Sequence, residues 1–220
     1  NTKHMWSEEG AIRGHTNRRM SIIRLGIYPS WIKSQPIDRN VGWLTDQCVR
    51  IMEPFWCTAG WGVMPAIEEA QLGPSNEAGL ALEAYLQRFP GINSISSPAL
   101  FGSEFSDAMH SVTWLTYVSD PLLEKIGGRA KVISDIEKST YLTHADLGKC
   151  LGIRVGGFPL TGDKLINEAM PSFGEAARLL KPIRIKSYAN RFVAPRPDGP
   201  INEDTWRLAC DAYLSRFDDY

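Results

Sequence analysis

The stretch Ser111–Gly128, SVTWLTYVSDPLLEKIGG, decides the fold class of this chain. Its first half, Val112–Val118, is rich in β-branched and aromatic residues and predicts a strand. Pro121–Ile126 predicts a short helix, because proline suits the first turn of a helix, where its missing N–H is not needed. Gly127 and Gly128 predict the end of that helix, since glycine readily adopts the left-handed backbone conformation that closes one. A strand therefore leads directly into a helix.

Strands and helices are predicted on both sides of this stretch, without regular βαβ alternation. Further strands are predicted over Met20–Tyr28, Cys57–Ile67 and Cys150–Val155. Apolar residues three and four positions apart predict helices over Asp38–Phe55, Asn76–Arg88, Phe173–Leu180 and Glu203–Phe217. Residues 131–138 fit either type of element. We expect an α+β fold, a single domain with a largely antiparallel sheet and helices packed mainly on one side.

The chain is expected to form one domain preceded by a polar arm. At 220 residues it is long enough to bury a sizeable core, and one domain is the default at this length. Residues 1–18 are predicted to be a polar N-terminal arm, which a partner could order. Residues 19–220 are predicted to be the α+β domain.

The charge balance argues against direct nucleic-acid binding. The chain has 24 Lys and Arg residues against 25 Asp and Glu residues, a formal net charge of -1 at pH 7. Phosphate contacts dominate the affinity of nucleic-acid-binding proteins, so these proteins usually carry a surplus of basic residues. We therefore expect no direct contact with nucleic acid.

The cysteines and the N-terminal sequence bear on the cellular compartment. Cys48, Cys57, Cys150 and Cys210 form no CxxC motif and no zinc-ligand spacing with histidine. They could form two disulfides, but a chain of this length does not need them, and buried thiols in a reducing compartment are favoured. No signal-peptide segment is visible, and no apolar run approaches the ~20 residues that span a bilayer. We expect a cytoplasmic protein without membrane contact, unless a leader was removed.

Motifs for catalysis are incomplete. The segment GFPLTGDK, residues 157–164, approaches a phosphate-binding loop, but that loop needs Lys directly after its second glycine. Here Asp163 intervenes, and its charge would repel phosphate. His144 and Asp146 could form an oriented pair, but no GxSxG motif supplies a nucleophile. An enzyme hypothesis is therefore confined to His144, Asp146 and Asp163, with no readable reaction type or metal site.

Acidic and aromatic side chains in the predicted loops indicate a protein-binding surface instead. They are Glu68, Glu69, Glu104, Phe105, Asp107, Phe158 and Asp163. Carboxylates can meet a basic surface on a partner and speed the encounter by electrostatic steering. Aromatic anchors can then supply the desolvated contacts that hold a complex together.

Several short motifs make the chain resemble a known family. They are Val112-Thr-Trp114-Leu-Thr, Leu122-Leu123, Gly127-Gly128, Gly156-Gly157, Pro159, Gly162-Asp163, Leu180-Lys-Pro-Ile183, Trp206 and Leu214-Ser-Arg-Phe217. With these motifs the chain resembles the type VI secretion immunity proteins found beside nuclease toxins of the VRR-Nuc type. The resemblance spans roughly residue 20 to the end of the chain.

The resemblance implies an α+β inhibitor that protects a bacterium by binding a cognate type VI toxin and covering its active site. It implies no catalysis and no cofactor. The acidic side chains would then face the basic groove that normally holds DNA, while the near-zero net charge favours shape complementarity over imitation of DNA. The glycine-rich segment Cys57–Val63 could support a homodimer at a sheet edge.

Overall fold

Two antiparallel sheets and several helices make up the fold. The structure is a computed structural model and describes residues 2–7, 10–16, 21–27, 38–62, 84–93, 107–186 and 203–220. In the first sheet, β1 (Thr2–Ser7), β2 (Gly10–Thr16) and β3 (Ser21–Ile27) pair in chain order. The strand predicted over residues 20–28 is thereby confirmed.

Residues 2–7 and 10–16, which lie within the predicted polar arm, form two paired strands. β1 pairs with β2 along its whole length, from Thr2 opposite His15 to Ser7 opposite Gly10. Strand pairing joins backbone N–H and C=O groups whatever the side chains are, so polar composition does not exclude it. The division of the chain at residue 18 stays a prediction, and the β2–β3 pairing runs across it.

The second sheet has four strands and carries the core. Its strands are β4 (Trp56–Ala59), β5 (Leu115–Ser119), β6 (Leu142–Asp146) and β7 (Cys150–Val155). Their order is β4-β5-β7-β6, and all neighbours are antiparallel. The predicted α+β class with a largely antiparallel sheet is confirmed. The far end of the strand predicted over Cys57–Ile67, from residue 63 onward, lies outside the described residues.

Helices flank this second sheet. They are α1 (Trp43–Met52), α2 (Asp120–Glu124), α3 (Arg129–Glu137), α4 (Pro171–Leu180) and α5 (Glu203–Leu214). Residues 84–88 are also helical, and they are the described end of the helix predicted over residues 76–88. All of the ambiguous residues 131–138 except Lys138 belong to α3, whose buried Val132 and Ile136 lie four positions apart on one helix face.

Helix boundaries differ from the predicted ones where local backbone geometry intervenes. The helix predicted from Asp38 begins with a π-helical turn, and regular α1 starts only at Trp43. α1 ends three residues before the predicted Phe55, because Glu53 takes the left-handed conformation with φ 44° and Pro54 follows. α4 begins at Pro171 rather than Phe173, since proline fits the first turn.

β5 lies in the interior of the second sheet and is buried on both faces. All five of its residues are buried. Tyr117 Oη donates a hydrogen bond of 2.8 Å to Asp46 Oδ1, so α1 covers one face. Strand pairing places His144 on the face of Thr116, and His144 Nε2 lies 3.9 Å from Oε1 of Glu137 on α3. α3 therefore packs against the other face.

The strand predicted over Val112–Val118 begins only at Leu115, because side-chain hydroxyl groups take up backbone hydrogen bonds before it. The Thr113 N–H donates to Thr116 Oγ1 at 3.1 Å. Thr113 Oγ1 lies 2.8 Å from the carbonyl oxygen of Leu115 and 3.1 Å from that of Ala59. These bonds satisfy buried polar groups where the regular strand ladder has not yet started.

Trp114→Ala is expected to lower the free energy of unfolding by about 3–5 kcal/mol, because loss of a buried indole leaves a cavity in the core. Trp114 is only 1% exposed. Urea denaturation followed by circular dichroism measures the change. Trp43→Ala is the matched control, since Trp43 is 60% exposed on α1, and we expect it to change stability by less than about 0.5 kcal/mol. Equal losses for the two variants would contradict the core position of Trp114.

Candidate functional site

The loop between β7 and α4, residues 156–170, holds two of the predicted contact residues, Phe158 and Asp163. We call it the β7–α4 loop. Within it, Lys164–Ile166 form a single 3₁₀ turn. The Asp163 side chain caps this turn by accepting a hydrogen bond of 3.0 Å from the N–H of Leu165. Asn167 closes the turn with φ 51°, a left-handed conformation that asparagine tolerates.

Arg88 holds Asp163 from outside the loop. Its Nε donates to Asp163 Oδ1 at 2.9 Å, and its Nη2 donates to Oδ2 at 2.8 Å. A two-pronged contact between guanidinium and carboxylate fixes orientation as well as distance. The bonds from Arg88 hold the pKa of the Asp163 carboxyl below its ordinary value, and the Leu165 N–H acts in the same direction.

Glu168 holds the loop from inside. Its Oε2 accepts hydrogen bonds from Thr161 Oγ1 at 2.9 Å, from the N–H of Gly162 at 2.5 Å and from the N–H of Asp163 at 3.2 Å. Burial raises the pKa of the Glu168 carboxyl, but these hydrogen bonds outweigh it and the pKa is lowered. The carboxylate thus stays ionised and accepts hydrogen bonds from the residues that directly precede the 3₁₀ turn.

Two further hydrogen bonds tie the loop to earlier parts of the chain. Trp61 Nε1 donates to the carbonyl oxygen of Pro159 at 2.7 Å, and the N–H of Gly91 donates to that of Thr161 at 2.8 Å. The β7–α4 loop is therefore fixed at several points along its length, although it contains little regular secondary structure.

Three apolar side chains of this loop point into solvent. Phe158 is 53% exposed, Leu165 71% and Ile166 73%. Leu165 and Ile166 are adjacent in the 3₁₀ turn, and we call them the apolar tip. Sequence reasoning missed the tip and the two residues that fix it, Arg88 and Glu168. Only the tip could have been found from the sequence, because two adjacent aliphatic residues stand between polar residues 164 and 167 in a predicted loop.

The other predicted contact residues are placed as follows. Asp107 has a side chain that is 73% exposed, with Oδ2 lying 3.4 Å from Lys125 Nζ. Glu68, Glu69, Glu104 and Phe105 lie outside the described residues. The structure thus brings Phe158 and Asp163 into one loop, while the described ion pair of Asp107 is with a residue just after α2.

The three residues of the enzyme hypothesis each contact a different partner. Asp146 Oδ1 accepts a hydrogen bond of 2.9 Å from Arg129 Nη1 and one of 3.0 Å from the N–H of Gly148. His144, two positions earlier on β6, lies 3.9 Å from Glu137, beyond hydrogen-bond distance. Asp163 contacts Arg88 instead. In the part of the chain that the structure describes, His144 is hydrogen-bonded to neither aspartate, whereas paired acid–base groups need to lie within such reach.

The cysteines and the possible metal ligands are the other candidate groups among the described residues. All four cysteines are free thiols, and all four lie in the described ranges. Burial raises the pKa of the Cys57 thiol to about 12, with the nearby thiols of Cys48 and Cys150 acting in the same direction. Within the described ranges, no three His, Cys, Asp or Glu side chains are grouped to hold a metal ion. None of the described helices has the length and apolar character that a bilayer crossing requires.

Comparison with known proteins identifies the family of this chain. The family described as "Type VI immunity for VRR-NUC" matches residues 5–217. The chain therefore belongs to this family of type VI immunity proteins. The match begins at residue 5, earlier than the start near residue 20 that the sequence resemblance indicates, so it takes in most of the first sheet.

A solved structure supports the fold. The Pseudomonas aeruginosa T6SS protein PA0821 superposes with a TM-score of 0.72 at 18% sequence identity. The alignment covers 95% of this chain and 59% of that chain, so this chain spans about three fifths of that protein's length. At this identity the likeness shows a shared fold. No curated protein sequence matches the chain significantly.

Asp163→Asn is expected to reduce stability at pH 7, because it removes the charge that binds Arg88. The lowered pKa of Asp163 means that its carboxylate stabilises the fold above the unfolded-state value of about 3.9. This stabilisation is lost as the pH falls through the lowered pKa, so the gap between wild type and variant should close under acid. Denaturation curves between pH 7 and pH 3 measure the gap.

Asp107→Asn is the matched control for this experiment, since its carboxylate is 73% exposed. We expect it to leave stability at pH 7 unchanged. A gap between wild type and Asp163→Asn that stays constant down to pH 3 would contradict a structural role for the ionised carboxylate.

Proposed function

We propose that this chain protects its cell by binding a cognate type VI secretion toxin with a VRR-Nuc-type nuclease and covering the active site of that toxin. The observation that carries the proposal is the family match over residues 5–217. An inhibitor that acts by occlusion needs a stable complementary surface and no reactive group. The protein is therefore proposed to be non-catalytic and to need no cofactor.

The proposed contact surface is formed by the loops that carry the predicted acidic and aromatic residues, which are Glu68, Glu69, Glu104, Phe105, Asp107, Phe158 and Asp163. The exposed carboxylate of Asp107 and the exposed ring of Phe158 support this choice for two of them. With a net charge of -1, the chain is not an overall electrostatic copy of DNA. Local acidic contacts would steer the encounter, and complementary shape would hold the complex.

The remaining parts of the proposal concern location and assembly. A cytoplasmic location is supported by the four free thiols, since reducing compartments preserve thiols. No contact with a membrane is proposed, and none with nucleic acid, for which the net charge of -1 is the support. A homodimer through β4 is supported by its place as an outer strand of the four-stranded sheet, because such strands can pair with another copy. Light scattering on the purified chain tests the dimer.

The toxin encoded beside this gene is expected to co-purify with the chain, and added chain is expected to silence its DNA degradation. Replacing Glu68 and Glu69 together by Lys should slow association by about tenfold or more at low salt, because charge steering would be reversed. Surface plasmon resonance at two salt concentrations measures this rate, and the effect should shrink at high salt.

His144→Ala is the control for catalysis, and we expect it to inhibit the toxin as well as the wild type does. Loss of protection in His144→Ala with unchanged toxin binding would favour the enzyme alternative. Absence of any complex at micromolar concentrations would contradict the proposed function.

A further inference from the structure

We propose that the apolar tip, Leu165 and Ile166, is the anchor of the toxin interface, and that Asp163 positions this tip rather than touching the toxin. This inference rests on the proposed function and names residues that would make the contact. It follows from three observations on the β7–α4 loop, namely the exposure of the tip, the bonds that fix it and the charges beside it.

The exposure of the tip indicates a contact role. Two adjacent aliphatic side chains are 71% and 73% exposed on a single turn, and the ring of Phe158 on the same loop is 53% exposed. The apolar surface of these side chains faces water, and its burial against a partner is favourable. Exposed apolar groups with polar residues around them are typical of protein-binding sites, and Lys164 and Asn167 flank the tip.

The hydrogen bonds around the tip prepare it for binding. Asp163 uses Oδ1 for Arg88 Nε and the Leu165 N–H, and Oδ2 for Arg88 Nη2. Its side chain is only 14% exposed, which leaves little of the carboxylate for a partner. Glu168 secures the other side of the turn. A loop that is already ordered loses less conformational entropy when it binds, so its apolar contacts contribute more to affinity.

The charges beside the tip indicate which charge a complementary partner surface would carry. The carboxylates of Asp163 and Glu168 are engaged within the loop, whereas exposed Lys164 makes no ion pair with the part of the chain that the structure describes. The free charge next to the tip is therefore positive. The surface that fits is an apolar depression on the toxin with a carboxylate at its rim, because anchors fill desolvated pockets and rim charges give orientation.

The first test is the double variant Leu165→Ala with Ile166→Ala, in the full chain, titrated calorimetrically into the toxin encoded beside this gene. We expect the Kd to rise by at least about thirtyfold, as for the loss of an interface anchor. The melting temperature should not change, because both side chains are exposed. The matched control is Ile51→Ala with Met52→Ala, an adjacent pair on α1 that is 81% and 44% exposed, and it should bind like wild type.

The second test separates positioning from contact. Arg88→Ala removes the outer bonds to Asp163, and we expect it to weaken toxin binding when the apolar tip is present. In the Leu165→Ala, Ile166→Ala background, Arg88→Ala should have little further effect, because the loop would no longer present an anchor. A full additional loss in that background would show that Arg88 or Asp163 contacts the toxin directly, and would overturn the positioning role.

The outcomes distinguish this inference from the proposed function. If the wild type binds the toxin and the tip variant binds with the same Kd, the inference is wrong and the proposed function stands. If the wild type does not bind at micromolar concentrations, the proposed function is wrong and the inference fails with it. Lys164→Glu should also weaken binding, and stronger binding by that variant would overturn the acidic rim assigned to the partner.

Discussion

The rest of the structure depends on the burial of β5 on both faces of the second sheet. A strand in this position must have every backbone group paired, since an unpaired buried donor or acceptor costs about 1–3 kcal/mol. β4 and β7 supply most of the pairing, and the hydroxyl groups of Thr113 and Thr116 satisfy the backbone where the strand begins. Because β7 is fixed against β5, the loop that follows β7 leaves the sheet from a fixed point.

Ion pairs and hydrogen bonds between distant parts of the chain then order the surface. Arg88 and Asp163 are 75 residues apart in sequence and meet in a two-pronged contact. Arg129 plays a similar part at the β6–β7 hairpin, where it bonds Asp120 and Asp146. Such partly exposed pairs make only a modest contribution to overall stability, but they also restrict the orientation of the segments that they join. In the proposed interface, this restriction would hold the turn of Leu165 and Ile166 in one orientation for binding.

Local sequence signals were accurate where local geometry sets the structure. Gly127 and Gly128, which the sequence places after a helix, have φ values of 102° and 85°, a region that other residues avoid. The strand predicted over residues 150–155 agrees with β7 to the residue. Signals failed where composition and periodicity do not report backbone pairing. Residues 2–7 and 10–16 are largely polar, yet they form strands because the backbone groups of each strand pair with a neighbouring strand. α1 starts later than predicted because a π-helical turn precedes it, and side-chain periodicity does not distinguish that turn from an α-helix.

The sequence by itself determined the α+β class, the strand-to-helix stretch around Trp114 and the family, because these depend on residue propensity and on glycine and proline at fixed places. It also predicted that Phe158 and Asp163 belong to a protein-binding surface. Only the tertiary structure decided that the Asp163 carboxylate is ion-paired with Arg88 and that the side chains of Leu165 and Ile166 face the solvent. The physical reason is that exposure and ion pairing depend on which distant segments fold against one another, and side-chain type alone does not specify that.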